Sequence, residues 1–399
     1  MPWKETSHME ERARFVILAN ERKTPLSSLC QLFGISRETG YKWLNRYELQ
    51  GLAGLCDLSR KPKSNNRATR IDVVDAVVQL RREFPLWGAK KLAVLLKERR
   101  PELKLPAIST LSEILERRGL VKKRKPRRKS LPQIKPDLTI QDCNDVWCTD
   151  FKGHFLVGNG KRCHPLTLTD AFSRYLLCCE SLTNESISSV KPLYQEVFLR
   201  FGLPKIILSD NGSPFASRRA PGGLTQLSAW WVKLGITPVQ IEPGHPEQNG
   251  RHERMHRTLK SATAFPSAES LKKQQTRFTG FMNEYNNVRP HEALALKRPG
   301  EIYRSSMRTY NGQTNAPSYP GNFEVRNVRS NGEIKWKGKN IFLSEVFIGE
   351  SIGMEEIGHQ TMLIHFFHLP IALLDEHKRK ITVLPSQLKL NRLSAMSSD

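Results

Sequence analysis

Residues 146–181 read VWCTDFKGHFLVGNGKRCHPLTLTDAFSRYLLCCES, and this stretch decides the fold. Val146–Phe151 with His154–Val157 reads as one strand interrupted by an acidic residue. Gly158-Asn159-Gly160 is a hairpin turn, Cys163–Thr169 a second strand and Tyr175–Ser181 a third. The pattern then changes period. A helix is predicted over Ser186–Phe201, a short buried strand over Lys205–Asp210, a helix near Leu224–Leu234 and a strand at Thr237–Ile241. His245–Gly250 leads into a helix from Arg251 to about Ala264, and another spans Ser270–Tyr285. A hairpin followed by alternating helices and strands predicts a mixed sheet flanked by helices.

Upstream, the first fifty residues read as helices. LSSLCQLFGISRETGYKWLNRY (26–47) has the cadence of a helix-turn-helix: a short helix, Gly34 to permit positive φ, then Ser36 as N-cap. The following helix would present Arg37, Glu38, Thr39 and Lys42 to a major groove. A second unit reads as helices at Ile71–Phe84, Trp87–Arg99 and Ile108–Arg118. Ser109 and Thr110 open the last of these, giving a second helix-turn-helix of winged type. Two linked modules grip a longer site than one. Between this unit and the strands lies KKRKPRRKS; from Arg117 to Lys129 there are nine basic residues and no acid. Lys122, Lys123, Arg124, Lys125, Arg127, Arg128 and Lys129 make a cationic strap suited to phosphates. Downstream, residues 320–386 alternate short strands with glycine turns, the pattern of a small β-barrel.

Charge agrees with a polyanionic partner. The 399 residues carry 63 Lys+Arg against 39 Asp+Glu, a net +24. Residues 1–135 hold 31 of the basic and 14 of the acidic residues, a net +17 that leaves +7 for the other 264. The seven cysteines form no CxxC pair, which argues for reduced structural thiols and against a zinc framework. No stretch is long and apolar enough to cross a bilayer, and the N-terminus lacks an apolar signal core. The expectation is a cytoplasmic protein with no membrane partner.

Three acids stand out by position. Asp150 lies within a strand, Asp210 caps a short apolar strand, and Glu253 falls early in a basic helix. Singly, each has an ordinary reading: a turn cap, the start of an Asp-Asn-Gly loop, an ion pair with Arg257 at i+4. An acid among apolar strand residues costs several kcal/mol unless paired or ligated. Carboxylates converging at a sheet suit two divalent ions ~3.5–4 Å apart, the device for in-line attack on a phosphodiester. Mg²⁺ keeps several waters and needs few carboxylates.

WCTDFKGHF (147–155), LTLTDAFSRY (166–175), FGLPKIILSDNGSPF (201–215), HPEQNGRHERMHRTLK (245–260) and NEYNNVRPHEALALKRPGEIY (283–303) resemble DDE transposases of bacterial insertion sequences with a retroviral-integrase-type catalytic domain. The resemblance covers about 140–305. It implies a multidomain chain: N-terminal all-α helix-turn-helix domains, a central α/β RNase H-like core with a five-stranded mixed sheet, and a C-terminal small β-barrel. The expected boundaries are 1–51 (helix-turn-helix), 52–69 (linker), 70–121 (second helix-turn-helix), 122–139 (basic linker), 140–305 (core), 306–319 (linker), 320–386 (barrel) and 387–399 (flexible tail).

By the same resemblance Asp150, Asp210 and Glu253 are the catalytic, metal-holding acids, with two Mg²⁺ ions and Mn²⁺ able to substitute. The implied activity is cutting at the ends of a mobile element and joining the freed 3′-hydroxyls to target DNA. The partners are therefore the terminal inverted repeats, the target DNA and a second copy of the chain, at least a dimer on DNA. Glu247 competes for the third position, leaving 36 residues after Asp210 where Glu253 leaves 42. Glu253 is preferred because it lies on the helix itself, and Arg218–Gly223 reads as a loop insertion that accounts for the length. Arg251 and the helical face of His256, Arg257 and Lys260 would clamp DNA ends. The alternatives are a catalytically silent DNA-binding regulator and an RNase H-type nuclease.

Overall fold

The computed structural model describes residues 7–59, 69–121, 138–217, 219–242 and 246–384. The chain folds as two units, residues 1–69 and 70–399.

The first unit comprises α1 (His8–Asn20), α2 (Leu26–Leu32) and α3 (Arg37–Gln50). Ser7 and Glu10 close a reciprocal cap on α1, and the Ser36 hydroxyl accepts from the Thr39 amide at 3.2 Å to start α3. Gly34 takes φ +63° in the turn between α2 and α3. Phe15, Val16, Leu29, Cys30 and Trp43 form the core, completed by Leu55 from a helical turn at Gly51–Leu55. The module thus reaches beyond residue 51, because Leu55 is buried in it.

The second unit opens with α4 (Ile71–Glu83), α5 (Ala89–Arg99) and α6 (Ile108–Arg117), packed through Val77, Leu80, Trp87, Leu92 and Leu111. Among the described residues from 69 to 121 there is no strand, so the winged form is not seen. Ala107 precedes α6 and no side chain caps it, so Ser109 and Thr110 lie inside the first turn without a capping role.

The central sheet contains β1 (Val146–Phe151), β2 (Phe155–Leu156), β3 (Arg162–Asp170), β4 (Leu176–Leu182), β5 (Ile206–Ser209) and β6 (Thr237–Gln240). Its order is β4-β3-β1-β5-β6, antiparallel across β4-β3-β1 and parallel across β1-β5-β6. The two-residue β2 also pairs with β3 and continues the line of β1. The break between them is Lys152–His154, and Asp150 itself stays in register opposite Thr167. Trp147, Leu166, Leu168, Leu177 and Ile207 pack against α7 (Ile187–Phe201) and α8 (Gln226–Lys233). Cys163, Leu176 and Cys179 pack on the other face against α9 (Gly250–Thr263) and α10 (Leu271–Asn283). A π-helical turn at Glu284–Val288 and the short α11 (Pro299–Ile302) follow.

Residues 306–319 do not run free. Arg308 donates to the carbonyls of Pro204, Leu234 and Gly235, and Tyr310 is buried in the α7–α8 core.

The trailing region holds β7 (Glu324–Asn327), β8 (Glu333–Trp336), β9 (Lys339–Phe342), β10 (Ser351–Gly358), β11 (Thr361–Phe366), β12 (Leu369–Asp375) and β13 (Lys380–Val383). These make an open five-stranded antiparallel sheet, β13-β12-β11-β10-β7, and a separate β8-β9 hairpin. The expected barrel is therefore not formed: β7 and β13 end the sheet without pairing to each other. The sheet's apolar face is covered instead by Leu224, Ala229 and Val232 of the core. Gly222, at φ +67°, allows this approach, since a Cβ there would lie 2.9 Å from Ile371 Cγ2. The sequence insertion around 218–223 thus supplies the seat for the trailing sheet.

Candidate active site

Strand alternation aims Asp150 at the α9 face, the same side as Val146 and Cys148, while Trp147 and Thr149 point toward α7. Its carboxyl is 22% exposed. Burial pushes it up to about 7, and the charge of Asp210 and, more weakly, of Glu253 push the same way against Lys152. Asp210 follows β5, parallel to β1. Burial raises its carboxyl as well, opposed by the Gly212 amide, which donates to Oδ1 at 3.1 Å. Glu253 is exposed in the first turn of α9. Among the described residues, no three His, Cys, Asp or Glu side chains converge closely enough to hold a metal ion. Glu247 belongs to the turn Pro246–Asn249 before α9, and its side chain lies outside the described residues.

The helix that carries Glu253 is fastened to the strand pair that carries Asp150. Thr167 Oγ1 donates to the Asp150 carbonyl at 3.1 Å. With that proton committed, the same oxygen accepts from His252 Nε2 at 2.7 Å and His256 Nε2 at 2.6 Å. Thr169 Oγ1 then donates to His252 Nδ1 at 2.8 Å. Both imidazoles are kept neutral by burial, His252 brought down to about 3 and His256 lower still. The unprotonated His256 Nδ1 is left 3.5 Å from Asp150 Oδ2. A lone pair facing a carboxylate is repulsive, so this arrangement favours the protonated acid in the metal-free protein.

His256 is 2% exposed, so the expectation that it grips DNA does not hold: its ring is spent on Thr167. The buried face of α9 is His252, Met255, His256 and Leu259; the exposed face carries Glu253, Arg257 and Lys260. The apolar Met255 and Leu259 were the signal in the sequence for which side turns inward. Arg251 is also exposed and donates to the Ala171 carbonyl at 3.2 Å. On α3, Arg37 and Lys42 are exposed, while Thr39 is half-buried with its hydroxyl 3.0 Å from that of Ser36. Ser109 is exposed and Thr110 half-buried. Lys122 through Lys129 lie outside the described residues.

The second helical domain is joined to the core through side chains. The buried Trp87 indole donates to Glu284 Oε1 at 3.0 Å, Lys90 faces Glu292 at 3.6 Å, and Arg298 pairs with both Glu98 and Glu301. No local pattern signals the links of Trp87 to Glu284 and Glu98 to Arg298, which span 197 and 200 residues.

Comparison with known proteins bears on this architecture. Residues 141–246 match the integrase core domain family and 234–299 a second integrase core domain family; 11–63 match a helix-turn-helix domain and 39–115 a homeodomain-like domain. A 39.2 kDa protein of insertion element IS476 from Xanthomonas euvesicatoria is 27% identical over 252 residues, 62% of this chain and 69% of that protein. An insertion element IS136 protein from Agrobacterium fabrum is 29% identical over 178 residues, 42% of this chain and 86% of that one. The HTLV-2 integrase catalytic core domain, solved in complex with magnesium, aligns over 41% of this chain and 98% of its own, at 15% identity and TM-score 0.32. Among the described residues no helix is long and apolar enough to cross a membrane. The chain is thus similar to integrase core domains behind helix-turn-helix domains, and along part of its length to insertion-element proteins.

Proposed function

We propose that this protein binds the terminal inverted repeats of an insertion sequence, cleaves at the element ends and joins the 3′-hydroxyls to target DNA. The observation that carries the reading is the state of Asp150: a buried strand carboxyl, pushed up to about 7 with two further acids acting on it. Such a concentration of negative charge is stabilised by cations, and an all-oxygen donor set suits a hard ion. Asp150 and Asp210 would be the ligands fixed by the sheet, and Glu253, exposed on α9, would be drawn in to complete the set when the ions bind. Mg²⁺, or Mn²⁺ in its place, supplies when bound as a pair the activation of the attacking hydroxyl and the neutralisation of phosphoryl charge.

The chain's own residues do the rest. Thr167 and the two neutral histidines hold α9, the helix that carries Glu253, against β1 and β3. Arg251, Arg257 and Lys260 line the solvent side of α9 for the DNA ends. Arg37 and Lys42 of α3 face a major groove, with Thr39 behind them, and the 122–129 strap follows phosphates. Ser109 and Thr110 at the start of α6 serve the second module. Two ends need two centres, so at least a dimer assembles on DNA.

The silent-regulator reading draws on one observation, that the three carboxyls are not converged on a metal position among the described residues. Asp150→Asn, Asp210→Asn and Glu253→Gln separate the two. Each is expected to abolish Mg²⁺-dependent cleavage of a labelled duplex carrying the element end while binding persists. Nicking retained in all three variants, or no divalent-dependent cleavage by the unaltered protein, overturns the proposal.

A further inference from the structure

We propose that Lys91, Arg174, Arg251, Arg254 and Arg289 form a binding site for a phosphodiester of the DNA backbone, where the second helical domain meets the core. The inference rests on the reading above and deepens it, naming a part of the DNA path that the carboxylates do not supply.

Arg174 lies in the turn between β3 and β4 with φ +65°, a conformation that a non-glycine residue adopts only when the surroundings impose it. Its Nε is buried and has no hydrogen-bond partner, and the same is true of Arg289 Nε just after the π-helical turn. A donor stripped of water and left without an acceptor costs about 1–3 kcal/mol. Two such guanidinium donors in one neighbourhood mark a place for an acceptor from outside the chain.

The neighbourhood is shared. The charges of Arg289, Arg174 and Arg254 all act on the Tyr285 hydroxyl, and those of Arg289, Lys91 and Arg174 on the His291 ring. Arg251 donates to Ala171, in the same turn as Arg174. Lys91 comes from α5, beside Lys90. The nearby acids are shared: Glu284 accepts the Trp87 indole while its charge also acts on Arg289, and Glu292 faces Lys90 while also acting on Lys91. Among the described residues none of the five cations is ion-paired. Burial and the Arg289 charge bring Lys91 down to about 8, and burial and Arg251 lower Arg174. Lys91, Arg174 and Arg289 are half-buried, with Arg251 and Arg254 exposed beside them; such mutually repelling cations are unfavourable by themselves, and an entering phosphate removes the repulsion and satisfies both guanidinium forks.

The placement suits DNA. Arg251 and Arg174 both act on the Cys148 thiol, two residues before Asp150 on the same strand face. At about 3.3 Å per residue Cys148 stands roughly 7 Å along β1 from the acid. A strand whose end reaches Asp150 runs across the cluster. Since Lys91 comes from the helical domain and the arginines from the core, one phosphate fastens both.

The test uses the full chain at pH 7 and a fluorescein-labelled duplex of generic sequence, titrated by anisotropy over a series of salt concentrations. Lys91→Met, Arg174→Gln and Arg289→Gln are compared with Lys378→Met, an exposed lysine on the trailing sheet. Each cluster variant is expected to bind more weakly, with the slope of log K against log salt reduced by up to about 0.9, the share of the one phosphate contact; Lys378→Met leaves it unchanged. Melting of the DNA-free variants at low salt is expected at an unchanged or higher temperature. A lower melting temperature with the slope intact shows the cations to be structural and overturns the proposal. Should an arginine variant fail to fold, Lys91→Met decides, and an intact slope there overturns it. Failure of the strand-transfer reading looks different: cleavage survives Asp150→Asn while the slope losses remain.

Discussion

Asp150→Asn is expected to stabilise the metal-free protein while removing its chemistry. The native carboxyl is raised from 3.8 to about 7. The folded state therefore holds the proton more tightly than the unfolded chain, and stability declines as pH climbs from the unfolded value to the folded one. At about 1.36 kcal/mol for each pH unit between those two values, the ionised acid costs roughly 4 kcal/mol once pH exceeds 7, an upper bound given water access to the site. Asparagine keeps the shape and drops the charge. Urea unfolding in EDTA should thus show variant and wild type closest near pH 5, with a gap widening by roughly 3 kcal/mol by pH 8 in the variant's favour. Added Mg²⁺ should close the gap by stabilising the wild type alone. A gap that stays flat from pH 5 to 8, or a variant less stable at pH 8, refutes the reasoning that burial, helped by the Asp210 charge, holds this carboxyl up.

Thr167→Val removes the oxygen shared by His252 and His256 and leaves two buried ring nitrogens unsatisfied; a loss of about 2–5 kcal/mol in urea unfolding is expected, with Thr167→Ser close to wild type. Gly222→Ala forces a Cβ to 2.9 Å from Ile371 at a left-handed φ; about 1–3 kcal/mol of destabilisation should appear as faster limited proteolysis of the trailing sheet. Ser36→Ala deletes the α3 cap and should cost about 1 kcal/mol, read as a lower melting point for the first helical unit, with Ser36→Thr nearly neutral.

The central sheet was legible because period-2 apolar runs and an acid inside one of them survive translation into three dimensions without long-range information. Asp150 and Asp210 were visible for that reason. Which face of α9 turns inward was less so: His252 and His256 share the i, i+4 spacing of the outward acids and bases, and only Met255 and Leu259 break the tie. Barrel closure could not be read, since it depends on the pairing of β7 and β13, residues 324–327 and 380–383, which local alternation does not encode. Residues 306–319 looked like a linker because their polarity hides that Arg308 binds three carbonyls of the core. The cationic cluster was equally hidden, its members coming from positions 91, 174, 251, 254 and 289.

Helix α8 has all of Leu227–Val232 buried, with Trp230 and Trp231 turned to one hydrophobic nucleus and Ala229 and Val232 to another. It works as a rivet through two plates. Clipping off everything after residue 320 would strip one plate and leave a greasy stripe wet, so the shortened protein should clump. The trailing sheet is consequently no detachable accessory that gene rearrangement can freely exchange: any replacement must bring a matching apolar face to the same helix.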